Sequence, residues 1–95
     1  MTNLSITSRV KVTPDQVSSE LGAEVVILHV KNGIYYGLDE VGVLIWKKLQ
    51  ASSSVAYIVA TVLLEFEVDA KQCEADVLRI LGEMMEAQLV TVDPS

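Results

Sequence analysis

The chain has 95 residues, 51% hydrophobic and 21% charged, so its length and composition fit one globular domain. Its 13 acidic and 7 basic side chains give a net charge of −6. This charge argues against nucleic-acid binding, because contacts to phosphate need clustered lysine and arginine. One cysteine and one histidine exclude a disulfide framework and a multi-ligand zinc site built by this chain alone. No metal or cofactor is therefore expected.

Nothing in the sequence points to a membrane or to export. No stretch approaches the ~20 apolar residues that a membrane span requires. The segment from Met1 to Ile6 lacks the basic start and the apolar block of an export signal. We expect a cytoplasmic protein with a flexible N-terminus over residues 1–8 and a single domain over residues 9–92.

The first third of the sequence has patterns typical of β-strands. Residues 9–12 alternate in polarity and are followed by Pro14, which predicts a short edge strand. Residues 17–21 are predicted to continue this strand after a bend. Residues 24–30 are almost all β-branched or aliphatic, which predicts a central strand with both faces covered.

Asn32-Gly33 predicts a hairpin turn, with residues 34–38 as the return strand. A two-residue turn would place Val30 opposite Tyr35 and His29 opposite Tyr36. Opposed residues share a face of the sheet. One face would carry Ile27, His29, Ile34, Tyr36 and Leu38, and the other Val26, Leu28, Val30 and Tyr35. Both faces are apolar, so both need cover, and part of it could come from a molecule other than this chain.

Two helices are predicted after the strands. Asp39 is a candidate N-cap for the first, and Gly42 within it suggests a close backbone approach because glycine weakens a helix. Ser53 or Ser54 is the candidate N-cap of the second helix, which extends to about Phe66.

Asp69 and Gln72 resemble a capping box at the start of a third helix, which extends to about Gln88. Residues 89–92 follow as a final strand or an extended tail. Three short strands followed by three helices predict an α+β fold, a three-stranded antiparallel sheet with helices against it. This order also resembles a winged helix-turn-helix, so an alternative function is that of a DNA-binding regulator. Residues 54–88 contain seven acidic and two basic side chains, which argues against it.

The third helix has an apolar arc close to half of its circumference. Val77, Leu81 and Met84 lie at its centre, with Cys73, Ile80 and Ala87 on one flank and Leu78 and Met85 on the other. The arc could pack on both other helices and the sheet, or one flank could line a groove beside the 34–38 strand. That strand has no charged residue, so its outer edge is either covered by a terminal segment or open to a partner peptide.

No set of residues forms a plausible catalytic site. Cys73 lies on an apolar helix face, and His29 stands alone as a possible base, so both are interpreted as packed structural residues. Asp76 and Arg79 lie near the edge of the apolar arc, where they could orient polar groups of a peptide. Trp46 lies off the main apolar stripe of the first helix, and its role, either packing or docking a partner protein, is open.

Several segments stand in a distinctive order and spacing. They are Gly33-Ile34-Tyr35-Tyr36-Gly37-Leu38-Asp39-Glu40-Val41-Gly42 with Ile45-Trp46, Ala56-Tyr57-Ile58-Val59, Phe66-Glu67-Val68-Asp69, Cys73-Glu74-Ala75-Asp76-Val77-Leu78 and Leu89-Val90. Over about residues 9–92 the chain resembles the PqqD-like family, small proteins that recognise leader peptides of ribosomally made natural products. Gln88 departs from this pattern, since relatives usually have a helix-ending glycine there.

The resemblance implies a winged-helix-like domain with no catalysis of its own. The leader of a precursor peptide would pair antiparallel with the third strand and lie against the third helix. The peptide-binding residues it implies are Ile34, Tyr35, Tyr36, Gly37 and Leu38 on the strand and Cys73, Asp76, Val77, Arg79, Ile80 and Met84 on the helix.

The sequence of residues 35–46 is most similar to that of the stand-alone members of the family from lasso-peptide biosynthesis. There the domain delivers the precursor to a separate cysteine protease that removes the leader, and a cyclase is a further candidate partner. Leaders of that group tend to carry a Tyr-x-x-Pro-x-Leu-like element, which needs apolar pockets. The alternative pathway is delivery of a precursor to a radical SAM enzyme of the pyrroloquinoline quinone type.

Overall fold

The computed structural model describes residues 4–22 and 24–93, and it confirms the predicted α+β class. Part of the predicted flexible N-terminus, residues 1–3, lies outside this range. The described chain forms two three-stranded sheets and three helices. No helix in this part of the chain combines the length and the hydropathy that a membrane crossing would need.

The larger sheet is an antiparallel meander, as predicted. It consists of β2 (Gln16–Leu21), β3 (Glu24–His29) and β4 (Ile34–Leu38), in that order across the sheet. On its inner face Val25, Ile27 and His29 are fully buried against the helices. The outer face is more open than predicted, since Leu28 is half-buried and Tyr35 is 69% exposed. The cover predicted for both faces is therefore present on one.

The predicted hairpin register is wrong by two residues. His29 lies opposite Ile34 rather than Tyr36, and a four-residue loop over 30–33 replaces the two-residue turn. Three hydrogen bonds stabilise this loop. Gly33 N–H donates to the His29 carbonyl at 2.9 Å, Asn32 N–H donates to His29 Nδ1 at 3.3 Å, and Ile34 N–H donates to Asn32 Oδ1 at 2.9 Å. Because side chains alternate with a period of two, a shift of two leaves every predicted face assignment within the strands unchanged.

The first strand belongs to a second, smaller sheet. β1 (Arg9–Val12) lies between β5 (Ser53–Ser54) and β6 (Val90–Val92), antiparallel to both. The prediction that β1 is an edge strand, and that residues 17–21 continue it, is therefore wrong. Its partners come from the middle and the end of the chain, so no local pattern could identify them. Of the two alternatives for residues 89–92, the final strand is the one observed.

The helices begin where the sequence predicts. They are α1 (Glu40–Lys48), α2 (Val55–Glu65) and α3 (Ala70–Glu86). Each N-cap side chain accepts a hydrogen bond from a backbone N–H three residues later, for Asp39 at 2.8 Å, Ser54 at 3.1 Å and Asp69 at 3.2 Å. α3 is two residues shorter than predicted.

The end of α3 explains how the chain manages without glycine at position 88. Gln88 has a φ of 62°, in the left-handed region that favours glycine. Its N–H donates to the Met85 carbonyl at 3.0 Å, and Leu89 N–H donates to the Met84 carbonyl at 2.9 Å. This pair of bonds is a Schellman motif, so Gln88 takes the position that glycine usually fills.

The core lies between the inner face of the larger sheet and the three helices. Trp46 is 3% exposed and packs in this core, which answers the open question of its role. The other buried apolar residues are Val10, Val25, Ile27, Ile45, Leu49, Val55, Ile58, Val59, Val62, Cys73, Val77, Leu81, Met84, Leu89 and Val90.

Candidate functional site

The outer edge of β4 is unpaired within the described residues. β4 pairs with β3 on one side only, and the C-terminal segment instead forms β6 in the smaller sheet. Of the two alternatives for this edge, the part of the chain that the structure describes shows the open one. An open strand edge offers a row of backbone donors and acceptors to an incoming strand.

The hydrogen-bond ladder identifies which backbone groups face outward. Val30 N–H donates to the Asp15 carbonyl at 3.0 Å, so the even residues of β3 face β2 and the odd residues face β4. In the observed register those odd residues bond to Ile34, Tyr36 and Leu38. The N–H and C=O groups of Tyr35 and Gly37 therefore point away from the sheet, toward any added strand.

A cleft of about 280 Å³ runs beside this edge, between β4 and α3. Its lining residues are Tyr36, Gly37, Leu38, Ile80, Glu83, Met84, Ala87 and Leu89. Five of the residues implied for peptide binding lie here: Tyr36, Gly37, Leu38, Ile80 and Met84. The helix contributes the flank of its apolar arc that contains Ile80 and Ala87. The open edge of β4 and the apolar cleft are therefore adjacent.

Three cleft residues, Glu83, Ala87 and Leu89, are absent from the set implied by the resemblance. The helical spacing from Ile80 to Glu83 and Ala87 could have identified two of them, since residues three and four apart share a helix face. Leu89 follows the helix, and the turn at Gln88 brings it back to the cleft. No local pattern predicts that position.

Glu83, which lines the cleft, is paired with Arg79, which does not. Arg79 Nη1 donates to Glu83 Oε1 at 3.0 Å, and both side chains are 61% exposed. An exposed pair of this kind contributes little to stability. Glu83 is among the residues that line the cleft, so its carboxylate is available to polar groups of a ligand.

Cys73, Asp76 and Val77 lie in a second, smaller cleft of about 70 Å³ near the start of α3. Its other lining residues are Val41, Val62, Phe66 and Val68. Asp76 Oδ1 accepts a hydrogen bond from Gln72 Nε2 at 3.0 Å, so Gln72 does not complete the predicted capping box with its side chain. Five of the six residues implied on α3 are thus divided between two clefts, and Arg79 lines neither.

The two remaining implied residues on β4 lie outside both clefts. Ile34 is 49% exposed at the start of the strand, and Tyr35 is 69% exposed on the outer face of the sheet. Tyr35 can reach a ligand through its backbone, because its N–H and C=O lie at the open edge.

The packing of Cys73 and His29 fits structural roles. Cys73 is 2% exposed, and its Sγ lies 3.9 Å from the Val59 carbonyl oxygen. Burial, and secondarily the nearby Asp76 carboxylate, raise the pKa of the Cys73 thiol, which disfavours a nucleophilic thiolate. His29 is 1% exposed, and its Nδ1 accepts the loop bond from Asn32. No group of three potential metal ligands occurs among the residues that the structure describes.

Comparison with known proteins places this arrangement in a family. Among proteins of curated function, none matches the chain. A solved structure titled TbiB1 in complex with the TbiA(beta) leader peptide has a TM-score of 0.80 and 32% sequence identity, and the match covers 90% of this chain and 96% of that one. A lasso peptide synthetase B1 complexed with the leader peptide has a TM-score of 0.78 and 21% identity, covering 86% and 96%. The family model of coenzyme PQQ synthesis protein D (PqqD) matches residues 24–90, so the chain belongs to the PqqD family.

Proposed function

We propose that this protein is a non-catalytic adaptor that binds the leader of a ribosomally made precursor peptide. The observation that carries the proposal is the open edge of β4 with an apolar cleft beside it. Strand addition at such an edge takes affinity from main-chain hydrogen bonds and selectivity from pockets for alternate side chains. TbiB1, 32% identical to this chain, has a structure with a leader peptide, which supports the same class of ligand here.

In the proposed complex the leader runs antiparallel to β4. Leader residues opposite Tyr35 and Gly37 exchange backbone hydrogen bonds with them, and their side chains lie on the outer face of the sheet. Leader residues opposite Tyr36 and Leu38 point the other way, into the cleft, where apolar side chains fit best. Successive leader residues therefore alternate between two roles. One set bonds to the β4 backbone, and the other set places its side chains in the cleft.

The proposed pathway is lasso-peptide biosynthesis, in which the domain presents the bound precursor to a separate cysteine-protease leader peptidase. The similarity of residues 35–46 to the lasso-peptide members supports this assignment, as does the match to a lasso peptide synthetase B1 that was solved with a leader peptide. The PqqD family model itself supports the second candidate, delivery to a radical SAM enzyme. Adding the protein to each candidate enzyme with its precursor, and measuring the gain in rate, separates the two.

The direct test is titration of fluorescently labelled leader peptides into the protein, with fluorescence anisotropy as the readout. The probes are the leader of the precursor encoded beside this gene and the TbiA(beta) leader. We expect a Kd on the order of 1 µM, or about −8 kcal/mol. Absence of binding by both leaders would contradict the proposal.

A backbone variant tests the proposed binding mode. Tyr35→Pro removes an N–H that points to the open edge and leaves the bonds to β3 in place. We expect about tenfold weaker leader binding, the loss of one hydrogen bond. Tyr35→Ala is the matched control, since it removes the side chain and keeps the N–H. Equal losses in both variants would indicate docking by the side chain instead.

A further inference from the structure

Among residues 4–22 and 24–93, the larger sheet has a second open edge, on β2, which the proposed function does not use. β2 is the outermost strand on the side opposite β4. All its residues except Gln16 are exposed, with Val17 at 60% and Leu21 at 62%. A fully exposed edge strand with apolar side chains is a template for pairing with another strand.

The ladder also fixes which backbone groups of β2 are free. Asp15 bonds to Val30, so the odd residues of β2 face β3, and the N–H and C=O groups of Gln16, Ser18 and Glu20 face outward. Natural proteins protect such edges with lysine, proline or bulges. Between residues 16 and 21 the strand carries one charge, Glu20, and no proline.

The sequence of β2 is complementary to itself in one antiparallel register. With Ser19 opposite Ser19 of a second copy, Val17 lies opposite Leu21 on the outer face, and Ser18 opposes Glu20 on the inner face. The outward-facing groups of Ser18 and Glu20 then form the hydrogen-bonded pairs. A register centred on Ser18 would oppose Val17 with Ser19 and lose the apolar pairs.

We propose that two copies of this protein associate through their β2 edges in the register centred on Ser19. The result is a six-stranded sheet with a two-fold axis, and it leaves both β4 edges open. One pair of strands buries less area than a standard stable interface, so we expect a Kd on the order of 0.1 mM. Each copy carries a charge of −6, so added salt strengthens the dimer by screening their repulsion.

Sedimentation equilibrium from about 10 µM to about 1 mM protein tests the association. We expect the mean mass to rise with concentration, and to rise further with salt. Leu21→Lys should abolish the rise, because it places a lysine in the apolar pair. Leu64→Lys, the same change at a site that is 87% exposed on α2, is the control and should leave the rise intact. A monomer at all concentrations, or equal effects of both variants, would overturn the proposal.

Cysteine cross-linking tests the register. In that register the two Ser19 residues form a non-hydrogen-bonded pair with Cα atoms about 4.5 Å apart, within the range of disulfides. Two Ser18 residues lie diagonally, about 7–8 Å apart, which exceeds it. Under mild oxidation Ser19→Cys should form a covalent dimer and Ser18→Cys should not. The reverse result would overturn the register. No leader takes part in these measurements, so their outcome is independent of the proposed function.

Discussion

Leu38 and Gly42 are packed so closely that a side chain at position 42 would start 3.2 Å from the Leu38 Cβ. This approach joins the end of β4 to the first turn of α1. It also explains the glycine inside a helix, where alanine would be favoured by about 1 kcal/mol. Leu38 lines the larger cleft, so this packing holds a residue of the candidate site in place.

We predict that Gly42→Ala weakens leader binding about fivefold, because the added methyl group displaces Leu38 in the cleft. Gly82→Ala is the matched control, since position 82 lies in α3 and an added Cβ there would meet no atom within 4 Å apart from its chain neighbours and the nearby backbone of its own helix. It should stabilise the protein by about 1 kcal/mol without changing leader affinity. Fluorescence anisotropy and thermal melts measure the two effects. Unchanged leader affinity in Gly42→Ala would argue against a role of Leu38 in binding.

A proline scan through the leader should produce an alternating pattern. Proline lacks the N–H, so at the leader residues opposite Tyr35 and Gly37 it should weaken binding about tenfold at each position, as expected for the loss of one hydrogen bond. At the intervening residues, whose side chains point into the cleft, proline removes no hydrogen bond to the protein. Alanine should weaken binding more than proline does there, because it removes the side chain that fills the cleft. Anisotropy titrations of the peptide series measure both patterns. A uniform tolerance of proline would contradict strand addition.

Gln88→Gly should raise the free energy of unfolding by about 0.5–1 kcal/mol. Residue 88 has a positive φ, where glycine avoids the steric cost that other residues incur. Gln50→Gly, just after α1, is the control: position 50 lacks a positive φ, and its side chain donates to the Trp46 carbonyl at 2.9 Å. It should lower stability. Urea denaturation measures both variants, and destabilisation by Gln88→Gly would contradict the interpretation of this turn.

The Cys73 thiol should react with iodoacetamide only at higher pH than an unfolded cysteine does. Burial and the Asp76 charge raise its pKa, so the folded state holds the thiol proton more tightly. The stability linked to this proton is present below the unfolded pKa and is lost as pH rises through the folded pKa. Asp76→Asn should shift the labelling profile partly back toward lower pH, whereas Glu74→Gln, the control, should not. A profile equal to that of the denatured protein would contradict the prediction.

Features that depend on residues close in sequence could be predicted. Each N-cap side chain accepts a hydrogen bond from the backbone N–H three residues later, so the residue at which a helix begins depends on the local sequence. These N-caps are Asp39, Ser54 and Asp69. The close approach at Gly42 also followed from its cost to the helix. The faces of β3 and β4 were correct even though their register was not, because side-chain alternation is a property of each strand.

Features that depend on distant residues could not. The length of the 30–33 loop was missed although its residues are close in sequence, because Asn32-Gly33 also fits a two-residue turn. The bonds from Gly33 N–H to the His29 carbonyl and from Asn32 N–H to His29 Nδ1 accompany the four-residue loop instead. β1 pairs with residues 43 or more positions away, at Ser53 and beyond, so no local pattern could predict its place in a separate sheet. The division of the α3 residues between two clefts depends on what packs beside each turn of the helix.

By itself, the sequence determined the α+β class, the residues at which the helices begin, the apolar arc of α3 and the absence of charged side chains from β4. Only the tertiary structure decided that the C-terminal segment pairs with β1, which leaves the edge of β4 open, and that Ile80 and Met84 face this edge. The physical reason is the range of the interactions. Caps and periodicity act over a few residues, whereas strand pairing and clefts are set by which distant segments the core brings together.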